Sequence, residues 1–382
     1  MHSDVIIIGG GVIGTACAYF LANKGARVLV LERSHLASGA SGCTAAIISI
    51  SGSGSTPAPL LPLGVESYNL ILDHEPGFDP PLEIIRGGAM YVAMSDQEAA
   101  AIHPFYDEIR QMGIDCTLMD GPEARRFEPL LADHVVSAIY NPACYHVNPF
   151  RLSAAYLNGA LRQGGRVKYG VEVREIVAAG DKIEKVVTNR GEFRGDWVVA
   201  AAGAHTPRLL SPLGIQVPIV PARGQVILTD AYPRMTDRIL LFVDHLYARQ
   251  TASGNFYLGS HTEFVGFENR ITLEKLTAFT RSFTRSLPVL AKVRALRFFA
   301  GFRPICEDNL PVVGPMPGCS NLIVAAGHGR TGVRFSACTG KAVSEMVVDG
   351  KTEQTMDAFS PGRFAYIGVE RFRVQRLAQP LS

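Results

Sequence analysis

Three glycines near the amino terminus have the spacing found where proteins bind a dinucleotide pyrophosphate. Gly9, Gly11 and Gly14 form G-x-G-x-x-G within "DVIIIGGGVIGTACAYFLANKGARVLVLER". In this pattern the first glycine permits a tight turn, the second lets the backbone approach the pyrophosphate, and the third lets a helix pack against a strand. The amides of Val12 and Ile13, at the start of the following helix, can donate hydrogen bonds to phosphate oxygens.

An acidic residue follows at the distance expected for a ribose contact. Glu32 ends the second apolar run, "RVLVLE", where its carboxylate can hold the ribose hydroxyls. A glycine-rich turn in a core that binds no ligand is the alternative. The strand before the glycines, the helix after them and the acid beyond favour a dinucleotide site.

The segment after Glu32 distinguishes FAD from NAD. "RSHLASGASGCTAAIIS" is rich in small residues, which let the backbone lie close to a flat ring system and to phosphates, whereas NAD dehydrogenases usually continue into another strand and helix. A later segment, "NLIVAAGHGRTGVRFSACTGKAVSEMVVDG", predicts a strand, a glycine-rich loop and a helix whose amino end can face an electron-rich flavin carbonyl. Together the two segments favour FAD.

The elements that must position these residues are typical of an α/β protein. The apolar runs around the glycine motif predict buried parallel strands on either side of a helix, and "GDWVVAAAGAHTPRL" predicts another strand that enters a glycine turn. "GGAMYVAMS", "GQVILTD", "LYARQT" and "GNFYLGSHT" predict strands of a second, β-rich region, and "DQEAAAIHPFYDEIRQMG" predicts a helix. We interpret "RVKYGVEVREIV" as one strand.

Composition limits the class of protein. A chain of 382 residues with 47% apolar and 19% charged side chains predicts a globular enzyme of two domains. The 37 basic and 35 acidic residues form no long basic run, so nucleic acid is not an expected partner. The apolar opening stretch lacks a basic start and is interrupted by charges, which argues against an export signal or a transmembrane segment. The seven scattered cysteines predict a reducing, cytoplasmic location without a metal site.

The chain resembles the FAD-dependent D-amino-acid oxidase family, in the branch with glycine oxidase and sarcosine oxidase. The similarity runs over almost the whole chain and rests on "IIIGGGVIG", "VLVLER", "SGASGCTAA", "YHVNPFRL", "VVAAAGAHT", "PARGQ", "DHLYARQ", "GFRPICEDNLPVVGPMP" and "AAGHGRTGVRFSACTGK". It implies a Rossmann-type FAD-binding domain and an α+β substrate domain built on a largely antiparallel sheet. The expected FAD-binding segments are 1–50, 146–217 and 300–365, the substrate segments are 51–145 and 218–299, and a tail covers 366–382.

The resemblance also implies which residues contact a non-covalent FAD. Val173 matches a position where family members contact adenine through backbone groups, although a purely structural strand residue is equally compatible. The full expected set is Gly9, Gly11, Val12, Ile13, Gly14, Glu32, Arg33, Ala40, Ser41, Thr44, Ala45, Ala46, Ile47, Val173, Gly203, His328, Gly329, Arg330, Thr331, Gly332 and Val333.

Two residues match the carboxylate-binding pair of glycine oxidase. Arg303 in "AGFRPICEDN" matches the arginine that holds the substrate carboxylate, a task suited to a guanidinium because it can donate two parallel hydrogen bonds. A structural arginine that pairs with Glu307 or Asp308 is the alternative. Tyr247 in "DHLYARQ" matches the tyrosine that donates to the same carboxylate, and a half-buried sheet tyrosine is the alternative.

Two further residues are expected near the substrate. His245 precedes Tyr247 by two positions on the same strand face, where it could tune the protonation of the amine or lie on the surface. Arg330 resembles an arginine near both flavin and substrate, and a second cation there would suit a dicarboxylate or a bulky acidic substrate. Gly301 replaces the cysteine through which sarcosine oxidases attach FAD, which excludes that linkage, and Cys43 is interpreted as a small filler.

The resemblance implies oxidation of a C–N bond by hydride transfer to flavin, with glycine, sarcosine, proline, hydroxyproline or an opine as substrate. We favour the catalytic β subunit of a heteromeric dehydrogenase, whose α and small subunits carry further redox centres and which can hold FMN at a subunit interface. A stand-alone oxidase that uses oxygen, a flavin-binding protein without turnover and an NAD-linked dehydrogenase are the alternatives.

Overall fold

The computed structural model of the protein describes residues 2–52, 56–243 and 246–364. Its helices are α1 Val12–Asn23, α2 Leu60–His74, α3 Asp96–Gln111, α4 Gly121–Phe127, α5 Pro149–Arg162, α6 Thr206–Leu210, α7 Leu273–Ser286 and α8 Ser336–Val348. Its strands are β1 His2–Ile8, β2 Val28–Glu32, β3 Ile47–Ser49, β4 Ala89–Ala93, β5 Thr117–Asp120, β6 Ser137–Asn141, β7 Cys144–His146, β8 Arg166–Tyr169, β9 Val173–Ala179, β10 Lys182–Thr188, β11 Gly191–Ala200, β12 Ile219–Ala231, β13 Ile239–Phe242, β14 Tyr247–Gln250, β15 Asn255–Glu263, β16 Ala295–Cys306, β17 Val312–Pro315 and β18 Leu322–Ala326.

One sheet carries the glycine motif. Its strand order is β17-β18-β11-β1-β2-β8, and β1 pairs in parallel with both β11 and β2. Val5, Ile6 and Ile7 are completely buried, as expected for a parallel strand covered on both faces. Helices α1 and α8 pack closely, since a Cβ added to Gly340 would lie only 2.8 Å from the carbonyl oxygen of Ala16. This arrangement is the predicted Rossmann-type unit.

The second sheet is largely antiparallel, with the order β16-β12-β15-β14-β13-β4-β6-β5. Its only parallel pair among the described strands is β13 with β4. Phe279 and Phe283 of α7 are buried against Leu240 and Ala248 on one side of this sheet. The other side faces a two-stranded ribbon formed by β7 and β3, and β3 belongs to the segment after the glycine motif. The predicted fold class, α/β with a second, largely antiparallel region, is confirmed.

Two local features differ from the sequence interpretation. "RVKYGVEVREIV" is not one strand, because the chain turns at Gly170, which has φ +66°, and separates β8 from β9. β9 then pairs with β10 instead of extending the parallel sheet. Helix α2 lies in the predicted substrate segment, yet its Leu60 and Leu63 share a core with Val5 and Ile7 of the first sheet.

The domain limits stay a prediction. β16 belongs to the second sheet along its whole length and crosses the expected limit at residue 300. The expected tail, 366–382, lies outside the described residues.

Within the part of the chain that the structure describes, no helix is both long and apolar enough to span a bilayer, and no group of three or more His, Cys, Asp or Glu side chains could hold a metal ion.

Candidate cofactor and substrate site

The turn between β1 and α1 is closed by contacts that only glycine permits. Gly9 has φ +116°, and a Cβ added to it would lie 2.5 Å from the carbonyl oxygen of Ala201. A Cβ on Gly14 would overlap the carbonyl oxygen of Gly9. The first turn of α1 is therefore held against the end of β1, with its amides directed to the edge of the sheet.

The small-residue loop contacts the start of that helix. The amide of Val12 donates to the hydroxyl of Ser41 (2.9 Å), and a Cβ on Gly11 would lie 3.2 Å from the same hydroxyl. Ala40 and Ser41 form a short 3-10 turn, and Ile13 follows Val12 in the first turn of α1. The helix amides and a loop hydroxyl thus converge where the motif predicts the pyrophosphate.

Glu32 is a buried carboxylate held by three donors. It is 6% exposed, and it accepts hydrogen bonds from the amides of Gly10 (2.7 Å) and Ser34 (2.8 Å) and from the hydroxyl of Ser38 (3.3 Å). An open cleft of about 420 Å³ lies beside it, lined by Arg33, Ser34, His35, Ser38, Glu172 and Asn189. Polar groups dominate this cleft, which suits the ribose and adenine end of a dinucleotide.

Arg33 lines the same cleft, and Val173 and Gly203 are close in sequence to Glu172, which lines it, and to His205, which contacts Arg33. Val173 begins β9 next to the cleft residue Glu172. The guanidinium of Arg33 lies 2.9 Å from Nε2 of His205, two residues after Gly203. Burial, followed by the charge of Arg33, lowers the pKa of His205 to about 4, so the imidazole is neutral and accepts from Arg33.

The rest of the small-residue loop packs on the second sheet. Ala45 contacts Tyr257 and Val226, and Ile47 joins the same apolar cluster. Ala46 is buried with φ +51°, and its amide donates to the hydroxyl of Thr44 (3.2 Å). The loop from 40 to 47 therefore lies between the start of α1 and the second sheet, where a flat ring could be bound by backbone.

The glycine-rich loop before α8 is attached to the strand that carries Arg303. The amide of Gly329 donates to the carbonyl of Pro304 (2.9 Å). His328 is buried, lies 2.9 Å from the hydroxyl of Thr339, and has its pKa lowered to about 3 by burial. The remaining residues of the loop lead into the helix and are Arg330, Thr331, Gly332 and Val333.

Arg303 and Tyr247 meet although their strands are three positions apart in the sheet. The Tyr247 hydroxyl shares a hydrogen bond with Arg303. A Cβ on Gly224 would lie 2.5 Å from the guanidinium carbon of Arg303, and a Cβ on Gly259 would overlap the Tyr247 ring. Two glycines on the intervening strands β12 and β15 therefore leave the space in which the long side chains lie flat and converge.

Arg330 joins this pair through one threonine. The hydroxyl of Thr262 accepts from Arg330 (2.9 Å) and from Arg303 (3.3 Å). Burial and the charge of Arg303 lower the pKa of Arg330, as expected for two neighbouring cations. The predicted trio Arg303, Tyr247 and Arg330 is thus brought together, whereas His245 lies outside the described residues.

The cysteines lie apart from one another. None of the seven forms a disulfide, and all seven are in the described residues. Cys43 contacts Gly301, so its thiol faces the strand of Arg303 within the site. Burial raises the pKa of Cys306 to about 12, which makes it an unreactive thiol.

Sequence reasoning missed several residues of this pocket. Arg249, Tyr257 and His146 form a buried polar cluster beside Tyr247. The alternation of "YARQ" places Arg249 on the Tyr247 face, a signal that was present in the sequence. Gly224 and Gly259 give no such signal, since the role of Gly224 depends on the pairing of β12 with β16 and that of Gly259 on the pairing of β15 with β14.

Comparison with known proteins agrees with this geometry. A family model described as FAD dependent oxidoreductase matches residues 4–346. The chain belongs to this family. The hydrogen cyanide synthase subunit HcnC of Pseudomonas aeruginosa is 30% identical over 94% of this chain and 96% of that protein. Glycine oxidase of Geobacillus kaustophilus is 28% identical over 96% of this chain and 99% of that protein. The crystal structure of glycine oxidase from Geobacillus kaustophilus superposes with a TM-score of 0.89 at 27% sequence identity, and the match covers 96% of this chain and 100% of that one.

The site of this FAD-dependent oxidoreductase fits its cofactor. The glycine cradle at Gly9 and Gly14 has no room for a side chain, the first amides of α1 face the sheet edge, and Glu32 lies buried at the end of β2. These are the donor, acceptor and steric properties that a dinucleotide requires.

Proposed function

We propose that this oxidoreductase oxidises the C–N bond of an amino acid or of a secondary amine acid. Bound FAD supplies a hydride acceptor. The observation that carries the proposal is the convergence of Arg303 and Tyr247 above Gly224 and Gly259, next to the loop from 40 to 47. In this proposal the two side chains bind the substrate carboxylate beside the segment that is suited to the flavin.

The chain's own residues mainly orient the substrate. Arg303 donates two hydrogen bonds to the carboxylate, and Tyr247 adds a third. Burial raises the pKa of Tyr247, so the phenol stays protonated at neutral pH and acts as a donor. With the carboxylate fixed, the amine-bearing carbon is held in one orientation, which lowers the entropic part of the barrier to such a transfer.

Arg330 adds a second positive charge at the same end. It shares the hydroxyl of Thr262 with Arg303. We propose that it contacts both the substrate and the flavin. A role for His245 in the protonation of the amine remains part of the proposal.

The cofactor contacts follow the placement of the residues. Gly9, Gly11 and Gly14 with the amides of Val12 and Ile13 bind the pyrophosphate. Toward the adenosine end, the contacts are made by Glu32, Arg33, Val173 and Gly203. The flavin contacts come from Ala40, Ser41, Thr44, Ala45, Ala46, Ile47, His328, Gly329, Arg330, Thr331, Gly332 and Val333, and attachment is non-covalent.

We favour the catalytic β subunit of a heteromeric dehydrogenase in the cytoplasm. The relative from Pseudomonas aeruginosa, named as a subunit of hydrogen cyanide synthase, supports this assembly. Purification of the native complex and analysis of its chains test for α and small subunits. Chromatography of the released cofactors tests for FMN at a subunit interface.

A stand-alone oxidase is the second candidate, favoured by glycine oxidase of Geobacillus kaustophilus, which this chain matches along nearly its whole length. One experiment separates the candidates. The purified protein is mixed without oxygen with glycine, sarcosine, L-proline, D-proline, hydroxyproline or an opine, and the flavin absorbance is recorded. Oxygen or an artificial dye is then added. Bleaching of the flavin absorbance supports turnover, whereas no bleaching by any of these acids favours a flavin-binding protein. Reoxidation of the flavin by oxygen favours the oxidase, and reoxidation by the dye alone favours the dehydrogenase.

A further inference from the structure

A second buried arginine lies on the substrate face of the sheet. Arg249 is 3% exposed and follows Tyr247 by two residues on β14, so both side chains leave the same face of that strand. Buried guanidinium groups are normally paired with carboxylates, because an isolated charge is costly to remove from water. Among the described residues, no carboxylate forms an ion pair with Arg249. Burial lowers its pKa to about 10.

The contacts of Arg249 do not satisfy all of the hydrogen-bond donors in its surroundings. Its Nη1 lies 3.1 Å from Nδ1 of His146, and its guanidinium carbon lies 5.0 Å from the centre of the Tyr257 ring. The Nε of Arg249, the Nε2 of His146 and the hydroxyl of Tyr257 are buried without a hydrogen-bond partner among the described residues. Because Arg249 can only donate, Nδ1 of His146 accepts and Nε2 carries the proton. All three groups without a partner can therefore donate to an anion.

This cluster is continuous with the carboxylate site. The Tyr257 ring lies nearly parallel to the Tyr247 ring at 6.3 Å, and Tyr247 shares a hydrogen bond with Arg303. The loop from 40 to 47, called the cofactor loop from here on, packs against the two tyrosines through Ala45 and Ile47. Arg249 therefore extends the row of polar groups that starts at Arg303, on the side of the sheet that faces the cofactor loop.

We infer that Arg249, with Tyr257 and His146, binds a second carboxylate of the substrate. The inference rests on the proposed function, because it takes the first carboxylate to be held by Arg303 and Tyr247. It identifies the preferred substrates as dicarboxylic amino or imino acids. The second carboxylate supplies the acceptor oxygens and the negative charge that the buried cluster lacks.

The first experiment uses substrates that differ by one carboxylate. Sarcosine is compared with N-(carboxymethyl)glycine, and D- and L-alanine with D- and L-aspartate, by anaerobic reduction of the holoenzyme's flavin at a series of concentrations. We expect the acid with two carboxylates to be preferred by about tenfold or more in kcat/KM, as expected for a charge-assisted pair. In Arg249→Met we expect this preference to fall at least about tenfold, because KM for the dicarboxylic acids rises. The kcat/KM values for the monocarboxylic acids should change less than about threefold. Arg294→Met, which removes an exposed arginine, is the control and keeps the preference.

A binding measurement without turnover covers the case in which Arg249→Met fails to fold. Succinate and butyrate are titrated into the oxidised holoenzyme, and the shift of the flavin absorbance band is recorded. Succinate is expected to bind about tenfold more tightly than butyrate, and Tyr257→Phe to narrow that difference. Equal binding of the two acids, or equal losses for both acids in the variants, would overturn the subsite.

The outcomes distinguish this inference from the proposed function. Reduction by monocarboxylic acids with no advantage for the dicarboxylic acids overturns the subsite alone. If no amino acid reduces the flavin but succinate still binds more tightly than butyrate, the proposed oxidation is wrong and the anion subsite is supported.

Discussion

The thiol of Cys43 lies directly against the backbone of Gly301. A Cβ placed on Gly301 would be 2.8 Å from the Cys43 sulfur, which itself lies 3.5 Å from the carbonyl oxygen of Ala300. The cofactor loop and the strand of Arg303 are thus in contact at a point where one of them has no side chain. Position 301 is a glycine, and the side chain of Cys43 fills the space next to it.

The substitution Gly301→Ala is expected to displace the cofactor loop. Overpacking at such a contact costs about 1–3 kcal/mol, and here the cost falls on the loop proposed to hold the flavin. We expect weaker FAD retention, measured as the ratio of absorbance at the flavin and protein bands after gel filtration. Gly77→Ala is the matched control, since a Cβ there meets no atom within 4 Å. Full FAD retention by Gly301→Ala would contradict the tight contact.

Arg303→Lys should raise the apparent KM for the amino acid at least about tenfold while FAD stays bound. A lysine provides one charge but cannot donate two parallel hydrogen bonds to a carboxylate. Anaerobic flavin reduction at a series of substrate concentrations gives the KM, and the flavin spectrum reports the bound cofactor. Arg294→Lys serves as the control because Arg294 is an exposed residue. Unchanged kinetics would reject the assignment of Arg303 to the carboxylate.

Glu32→Ala should lower both FAD retention and the free energy of unfolding. The amides of Gly10 and Ser34 lose their acceptor, and a buried donor without a partner costs about 1–3 kcal/mol. Thermal melting of the apoprotein measures the structural part, and titration with FAD measures the binding part. Glu32→Gln keeps one acceptor oxygen and should have a smaller effect. A fully loaded Glu32→Ala protein would count against the ribose contact.

Acid should destabilise the protein through histidines whose pKa is lowered in the folded state, among them His205 and His328. The pKa of His205 is lowered to about 4 and that of His328 to about 3, whereas the unfolded chain has histidine pKa values near 6.5. The unfolded chain therefore binds more protons between these values, and the free energy of unfolding falls as the pH decreases from about 6.5 toward 3.

The melting temperature between pH 7 and pH 4 measures this effect. His205→Gln removes one of these contributions and should give a shallower dependence of the melting temperature on pH. His103→Gln, at an exposed position on α3, is the control and should follow the unmodified protein. If the unmodified protein melted at the same temperature across this range, the neutral state of these histidines would be wrong.

The sequence was sufficient for the features that depend on neighbouring residues. The β1-α1-β2 unit, the buried strands and the helices follow from local periodicity and from Gly9, Gly11 and Gly14. The error at Gly170 has the same local origin, because a single glycine between apolar runs can lie in a strand or end it. The structure resolved the choice by pairing β9 with β10.

The pocket depends on contacts between residues far apart in the chain. Arg249 is buried because β7 brings His146 next to it, and these two residues are separated by about a hundred positions. Gly224 and Gly259 matter only through the register that aligns β14, β15, β12 and β16. Single-sequence patterns contain no information on such pairings, so the contact of Arg249 with His146 and the roles of Gly224 and Gly259 were missed.

The hydrogen bond from Gly329 to Pro304 has a consequence for how substrate enters. It ties the loop that follows β18 of the first sheet to the strand of the second sheet that carries Arg303. The backbone segments that carry Arg303 and Arg330, the two arginines proposed to bind the substrate, are therefore linked directly. Hinging the two sheets apart at this point would break that hydrogen bond, so we expect Arg303 and Arg330 to keep their spacing when a substrate binds.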